Sequence, residues 1–323
     1  MVSLLVATYA DVASINPACA LLALLPSLWR PGPSLDSCAS FAHGSFRLLQ
    51  LHGRIVYEDH LERRWEAQTG EKVSEIIFMS RHTAVSNRPA LTVHPIGIPH
   101  LLPHETPPAG GRPGWAAPPN SRIGPWFRLL KSVAVSQSLF PEFEITLEAT
   151  HHGPETEVPA MFVEIGSTEE YWQRQDAAKA IAMLFSQGLG LDGSPGVGVW
   201  SQETNNGDKV LLGLGGGHYV PRHGDIAVKE GVWVGHLLSG YSLVMEEPPP
   251  QVLKSKNYAQ IQGTWKEAIK EAVAATRKSF PGGEVVVHLD SKSFKGWQRS
   301  AITWFLSEEG VSIGKPQDFA SSS

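Results

Sequence analysis

The chain has 323 residues, 42% of them hydrophobic, 9% aromatic and 18% charged, with a formal net charge of −5 at pH 7. This composition excludes a disordered or fibrous protein, and the length suits two domains or one large α/β unit. No stretch approaches the roughly 20 consecutive apolar residues that cross a bilayer, and two cysteines, Cys19 and Cys38, are too few for a disulfide framework or a thiolate zinc site.

Residues 3–8 read as the first strand and 16–25 as the first helix. At the start of the chain, 1–25, the apolar run 18–25 has no basic residue before it and Asp11 interrupts the stretch that precedes it, which argues against a cleaved signal peptide. With the low cysteine content this predicts a reducing compartment, the cytoplasm, with the nucleus also open to it. Residues 27–44 look like an irregular excursion. Strands are predicted at 75–80, 90–95, 144–150 and 160–165, and helices at 122–138 and 168–187. In the last of these Ser167 and Glu170 read as a capping box, Gly188 as the stop, and Trp172, Ala180, Met183 and Leu184 as a core stripe. A strand at 210–214, a helix at 264–280, a strand at 284–289 and a helix at 294–309 complete the pattern. Alternation of this kind predicts a layered α/β protein.

Two segments break the pattern. Residues 99–125 are rich in Pro and Gly and too long for a simple connection, so they form either an ordered active-site loop or a flexible insertion; Arg112 and Trp115 favour order. Pro248, Pro249 and Pro250 separate a catalytic region, 1–250, from a basic C-terminal segment, 251–319, that packs on or completes a second α/β portion; 320–323 is a tail. Residues 251–300 hold nine Lys and Arg against four acids, a net +5, which leaves −10 on the remainder. A basic region on an acidic body suits a polyanion that touches one face, although lysines on the solvated sides of helices give the same count.

The 13 histidines are unevenly placed. Apolar runs end in His82, in His94, in His151 and His152, in the loop bearing His218 and His223, and in His236. Functional groups gather in the crevice at the carboxyl ends of strands in α/β sheets, so these imidazoles are expected to converge there. The run from Gly213 to His223 adds Gly215, Gly216 and Gly217, whose amides are free to approach an anion or a polarised carbonyl, followed by Tyr219 and Arg222. Strand alternation sets His151 and His152 on opposite faces unless the chain turns, and Gly153-Pro154 supplies a turn. Imidazoles suit zinc, and His82, His151 and His152, with Glu148 or His218 in reserve, make a three-ligand set; a metal-free pocket with one histidine as base is the rival. Glu164 alternates with apolar neighbours in a strand, a costly position unless it orients a histidine or pairs with an arginine such as Arg222.

Several segments, taken together, resemble the D-aminoacyl-tRNA deacylases of archaea and plants. They are Ser80-Arg81-His82, Arg88-Pro89-Ala90-Leu91-Thr92-Val93-His94, Glu148-Ala149-Thr150-His151-His152-Gly153-Pro154, Glu164-Ile165-Gly166-Ser167, Gly215-Gly216-Gly217-His218-Tyr219 with Pro221-Arg222, and Gly235-His236. The long Pro-rich loop and Ser293-Phe294-Lys295-Gly296-Trp297 look like the plant branch, while residues 27–44 and Val220 depart from the pattern. The resemblance implies a layered α/β/α fold with a mixed sheet, similar to peptidyl-tRNA hydrolases and nucleoside phosphorylases, plus a second α/β portion. It implies zinc-dependent hydrolysis of the ester between a D-amino acid and the terminal ribose of tRNA, extending in plants to D-amino acids whose nitrogen carries a small aldehyde-derived group.

On that reading His218, His236, Glu164 and His94 are the catalytic candidates. Gly215, Gly216, Gly217, Tyr219, Arg222 and Arg81 meet the substrate, with Tyr219 stacked on the 3′-terminal adenosine and Arg222 on phosphate. His82, His151 and His152 hold Zn2+, the C-terminal lysines grip the acceptor end of the tRNA, a backbone wall selects the D-amino acid, and a monomer is favoured. The alternatives are a nucleoside phosphorylase or nucleosidase-like enzyme that uses the glycines for phosphate and Glu164 for a ribose, and a non-catalytic protein that binds tRNA ends.

Overall fold

In a computed structural model that describes residues 1–319, the alternating runs fold into two sheets flanked by helices. The predicted tail, 320–323, lies outside the described residues. The strands are β1 (Val2–Thr8), β2 (Arg30–Pro31), β3 (Ser40–His43), β4 (Phe46–Leu51), β5 (Val73–Arg81), β6 (Ala90–His94), β7 (Glu144–Leu147), β8 (Ala160–Gly166), β9 (Lys209–Leu214), β10 (Trp233–Leu238), β11 (Glu284–Leu289) and β12 (Ser312–Ile313). The helices are α1 (Val12–Leu24), α2 (Leu61–Thr69), α3 (Ile123–Ser136), α4 (Glu169–Trp172), α5 (Gln175–Gly188), α6 (Gln202–Asn205), α7 (Pro221–Ala227), α8 (Pro250–Ser255), α9 (Trp265–Ser279) and α10 (Gly296–Glu308). Among the described residues no helix is long and apolar enough to cross a membrane.

The larger sheet has the order β2-β3-β4-β1-β5-β8-β6-β7. It is parallel from β4 through β1 and β5 to β8, antiparallel where β6 meets β8, and closed at one edge by the antiparallel β2 and β3, so the expected layered α/β fold with a mixed sheet is the one formed. The smaller sheet, β10-β9-β11-β12, is parallel throughout and takes two strands from before the triple proline and two from after it.

Side-chain alternation in the central strands decides where the site sits. Leu5, Ala7, Ile77, Met79, Met161, Val163 and Ile165 point to one face and are buried with residues of α1, α3 and α5. Leu4, Val6, Ile76, Phe78 and Phe162 point to the other, where Leu61 and Trp65 of α2 cover them. On this second face the same alternation goes on to Thr8, Ser80 and Glu164, all buried, so the apolar layer gives way to a polar one toward the carboxyl ends of β1, β5 and β8. Phe162 marks the boundary, stacked between the rings of Phe78 at 4.7 Å and His94 at 5.2 Å.

Three local expectations change, and the segment left open between order and flexibility packs against the fold. The excursion at 27–44 contains β2 and β3, too short and too broken by Pro31 and Pro33 to announce themselves. The strand expected to reach residue 150 stops at Leu147, because Glu148 leaves the ladder and bridges to Tyr219. The single helix at 168–187 is two, α4 and α5, and no capping box forms: the Ser167 hydroxyl donates to Arg88 O at 2.6 Å. The Pro/Gly-rich stretch is an ordered wall. Gly110 at φ +67° lies so close to the Val56 carbonyl that a Cβ would fall 1.7 Å from its oxygen, and Gly153 N donates to Ala109 O.

Candidate functional site

Glu164 of β8 lies in register between Ser80 of β5 and Thr92 of β6 and stands at the centre of a buried cluster. One of its carboxylate oxygens is 3.7 Å from His82 Nδ1 and the other 3.7 Å from His94 Nε2. Glu148, anchored by its amide to Val93 O, brings a second carboxylate to the same face. Its oxygens lie 3.1 Å from His82 Nδ1, 2.7 Å from His218 Nε2 and 3.7 Å from His151 Nε2. Although these distances fall within ion-pair range, both Glu148 oxygens and His94 Nε2 lack an aligned hydrogen bond. A carboxylate shut away from water and paired only by charge is a costly group, of the kind a cation satisfies.

The charges follow from this geometry. Burial opposes ionisation of both carboxylates, yet the surrounding imidazoles win: His218 and His82 hold Glu148 well below the usual carboxylate range, and His82 and His94 lower Glu164. In return, against burial, Glu148 and Glu164 push His82 up to about 10, and Glu164 raises His94. Burial and the neighbouring His94 do the reverse to His152, pushed down to about 4, and to His151, which lies well below its ordinary value. The cluster therefore holds the neutral imidazoles of His151 and His152 beside the protonated imidazole of His82.

The neutral pair and His94 share a further feature. Each Nδ1 lies against a backbone carbonyl: Pro95 O at 3.0 Å from His94, Ala149 O at 2.8 Å from His151 and Gly153 O at 2.6 Å from His152. With Nδ1–H donating, Nε2 of each neutral ring carries the lone pair, the arrangement that orients metal-binding histidines. One ligand atom from each of the three lies within 4.8 Å of the others. His152 reaches this position at φ +41°, a left-handed conformation uncommon outside glycine, and so turns to the same hollow as His151. The expected turn is real, one residue earlier than Gly153.

His82 thus parts from the ligand set expected for it. His94 takes its place beside His151 and His152, while His82 groups with Glu148 and His218. Tyr219 is half-buried; its hydroxyl lies 2.9 Å from His82 Nε2, and burial pushes its own pKa up to about 12. Trp172, read as core, donates its indole N–H to His82 O at 2.8 Å and fixes the same histidine from behind.

His218 reaches the cluster across the junction between the sheets. Ala149 N donates to His218 O, and Thr150 N donates to Leu237 O of β10, so the 148–152 segment is stitched to both. Of the three glycines before His218, Gly215 and Gly216 are held within the protein and Gly217 is exposed. Gly215 N donates to Leu238 O and Gly216 N to Ser293 Oγ, and a Cβ on Gly215 would strike the Phe294 ring at 2.9 Å. Two of the three amides expected to cradle an anion are spent within the protein.

His236 is withdrawn from chemistry as well. It is fully buried, with Nδ1 3.0 Å from Thr150 Oγ1 and Nε2 2.8 Å from Ala117 O, and burial pushes it down to about 4. It pins the catalytic segment and the Pro/Gly-rich wall to β10. His223 lies against His288 and Gly215 O, away from the cluster. Arg222 pairs with Asp290, not with Glu164.

Around the cluster opens a cavity of about 340 Å³ whose lining includes His82, His151, His152, Glu164 and His218. Thr8, Asp11, Arg54, Arg81 and Ala109 complete much of the wall. Arg81 projects there over the Trp172 ring at 4.9 Å. Asp11 and Arg54 were passed over in the sequence; Asp11 caps α1 by accepting from Ala13 N, and an acid just after a predicted strand and before a predicted helix was the available signal. His82, His94, His151, His152 and His218 do come together, but around Glu164 on the face of β8 and not at one set of carboxyl ends, because β6 and β7 run opposite to β5 and β8; His236 stays apart from them.

The model of a family described as D-aminoacyl-tRNA deacylase matches residues 69–314. A D-aminoacyl-tRNA deacylase of Arabidopsis thaliana is 62% identical over 321 residues, 99% of this chain and 100% of that one. One from Aeropyrum pernix is 30% identical over 269 residues, 82% of this chain and 84% of the relative. A crystal structure described as a conserved protein of unknown function, AF0625, superposes with a TM-score of 0.75 at 25% identity, covering 99% of this chain and 97% of that one.

Proposed function

The chain belongs to the D-aminoacyl-tRNA deacylase family, and on that premise we propose how its histidine and carboxylate cluster hydrolyses D-aminoacyl-tRNA to free D-amino acid and tRNA. Family membership selects this hydrolase over the nucleosidase-like and non-catalytic readings. The observation that carries the assignment of roles is the meeting of His82, His94, His151 and His218 on two buried carboxylates, with His152 packed against His94 and His151, beside a cavity that His82, His151, His152, Glu164 and His218 line.

The donor set fits a zinc ion. Nε2 of His151 and His152 would hold it together with Nε2 of His94, which would give up its proton as the metal binds, with Glu148 as the nearby charge; zinc would supply Lewis acidity and a lowered pKa for bound water. The protein's own groups do the rest. His218 is the half-exposed member, oriented by Glu148 at 2.7 Å, and exchanges a proton with the attacking water and the leaving ribose oxygen. His82, kept protonated by Glu148 and Glu164 and held by Tyr219 and Trp172, sets positive charge where the tetrahedral oxyanion develops.

The 3′-terminal adenosine presents its ester at the cavity mouth, with Arg81 and Arg54 on the side of the incoming phosphates. The close-packed wall of Ala109 and Gly110 against Val56 would exclude the side chain of an L-amino acid, and the cavity would take D-amino acids with or without a small aldehyde-derived substituent on the nitrogen. The protein acts as a monomer in the cytoplasm. Release of tyrosine from D-tyrosyl-tRNA by the wild type and by His218→Ala tests the assignment: it expects a kcat at least about 100-fold lower with KM little changed. Undiminished kcat would remove His218 from the mechanism.

A further inference from the structure

Outside the cluster, the side chains least accounted for by the fold lie on and beside α10. A groove of about 800 Å³ opens there, lined in part by Lys256, Arg299, Ser300 and Thr303 and by the rings of Tyr258 and Trp304. No carboxylate is among its lining residues. We propose that this groove, together with the exposed lysines beside it, binds the sugar-phosphate backbone of the tRNA acceptor stem and so holds the 3′ end at the catalytic cavity; the inference rests on the deacylase reading above.

Continuity with the site is the first argument. His218 Nδ1 lies 3.2 Å from the hydroxyl of Tyr241, whose neighbour Gly240 donates its amide to Gly216 O at 2.9 Å. Gly216 N in turn donates to Ser293 Oγ at 2.6 Å, and three residues beyond Ser293 begins α10, whose Arg299 closes back on Phe294 O at 2.9 Å. An unbroken chain of contacts therefore leads from the catalytic imidazole to the groove. The helix then runs on for about 20 Å at ~1.5 Å per residue, long enough to follow several phosphates.

Charge is the second argument. Residues 251–300 carry +5 on a chain whose remainder carries −10, so a polyanion is drawn to this segment before the rest of the chain. Lys254 and Lys256 on and after α8, and Lys292 before α10, are exposed and have no ion pair among the described residues, whereas Lys295 is matched by Glu247 at 3.2 Å. Three unneutralised cations in one region are available to phosphate. The third argument is chemical type. Arg299, Thr303 and Ser307 recur at four-residue spacing along one side of α10, and hydroxyls, cations and half-buried rings together suit ribose hydroxyls and phosphate oxygens better than the apolar anchors of a protein interface.

The test is direct binding of uncharged tRNA, which needs no turnover, to the wild type and to the triple variant Lys254→Glu/Lys256→Glu/Lys292→Glu, with the Lys→Arg triple as a charge-preserving control. Affinity is expected to fall at least about tenfold in the Glu variant and to be retained in the Arg variant, and the salt dependence of binding should become shallower by about 2–3 in log–log slope. In turnover, KM for D-tyrosyl-tRNA should rise by a similar factor with kcat unchanged, while hydrolysis of D-tyrosyl-adenosine stays the same. Equal tRNA affinity and equal salt slope in all three proteins would overturn the proposal and leave the groove to a protein partner. Loss of tRNA binding in the Glu variant of a protein that hydrolyses no D-aminoacyl ester would keep the groove and overturn the deacylase chemistry instead.

Discussion

Replacing His236 with glutamine separates a structural histidine from a catalytic one by its pH signature. His236 is fully buried, its ring nitrogens face Thr150 Oγ1 and Ala117 O, and burial holds it near 4 against an ordinary value of 6.5. A base whose folded pKa is depressed stays neutral while the unfolded chain takes up a proton, so its stability contribution is complete above about 6.5 and is lost as pH falls toward about 4. At about 1.36 kcal/mol per pKa unit the full loss is ~3.4 kcal/mol, of which ~2 kcal/mol has gone by about pH 5. The assay is urea unfolding of both proteins from about pH 7.5 down to about pH 4.5. His223 titrates against burial in both proteins and cancels in the difference. At neutral pH the variant should lose only about 1–2 kcal/mol, since the amide keeps one of the two hydrogen bonds, and the gap should close as pH falls because a glutamine side chain does not titrate. A gap that stays constant with pH would refute the buried-neutral account. Loss of turnover at neutral pH in a fully folded variant would return His236 to the chemistry.

Other outcomes follow from the same geometry. Glu148→Gln removes the charge that three imidazoles share, and kcat should fall by about 100-fold or more with retained secondary structure, checked by single-turnover hydrolysis and circular dichroism. Alanine at His94, His151 or His152 should lower bound zinc measured by elemental analysis, whereas Tyr219→Phe should leave the metal content intact while slowing turnover. Trp172→Phe forfeits the indole hydrogen bond to His82 O, at a cost of about 1 kcal/mol in urea unfolding and a several-fold fall in kcat. Arg122→Met leaves the largely covered Glu75 carboxylate, now held below its ordinary value against burial by Arg122, with only Asn120 and Ser3 as donors; about 2–3 kcal/mol of stability should be lost at neutral pH, and less at about pH 4, where Glu75 protonates.

The site was legible in the sequence to the extent that strand endings were. His82, His94, His151, His152 and His218 each follow an apolar run, and reading those runs as strands brings them together. Which of them group was not legible, because the parallel pairing of β6 with β7 sets His94 beside the pair after β7, while His82 ends β5 on the other side of β8. Glu148 looked like a reserve ligand because the strand was read through to residue 150; its departure from the ladder makes it the shared carboxylate. The triple glycine was misread for a physical reason. Close approach of backbone to a ligand and close approach to a packed ring demand the same residue, and only the partner, Phe294, tells them apart. His236 and His223 show the same ambiguity for imidazole, which is as useful for satisfying buried carbonyls as for catalysis.

The central claim is that one cluster hydrolyses the ester and that the wall beside it admits only the D configuration. Side-by-side release of tyrosine from D-tyrosyl-tRNA and L-tyrosyl-tRNA, by the wild type and by Glu148→Gln, tests both halves at once. The account predicts rapid hydrolysis of the D ester alone, lost in the variant; equal hydrolysis of both esters, or an undiminished rate in the variant, would contradict it.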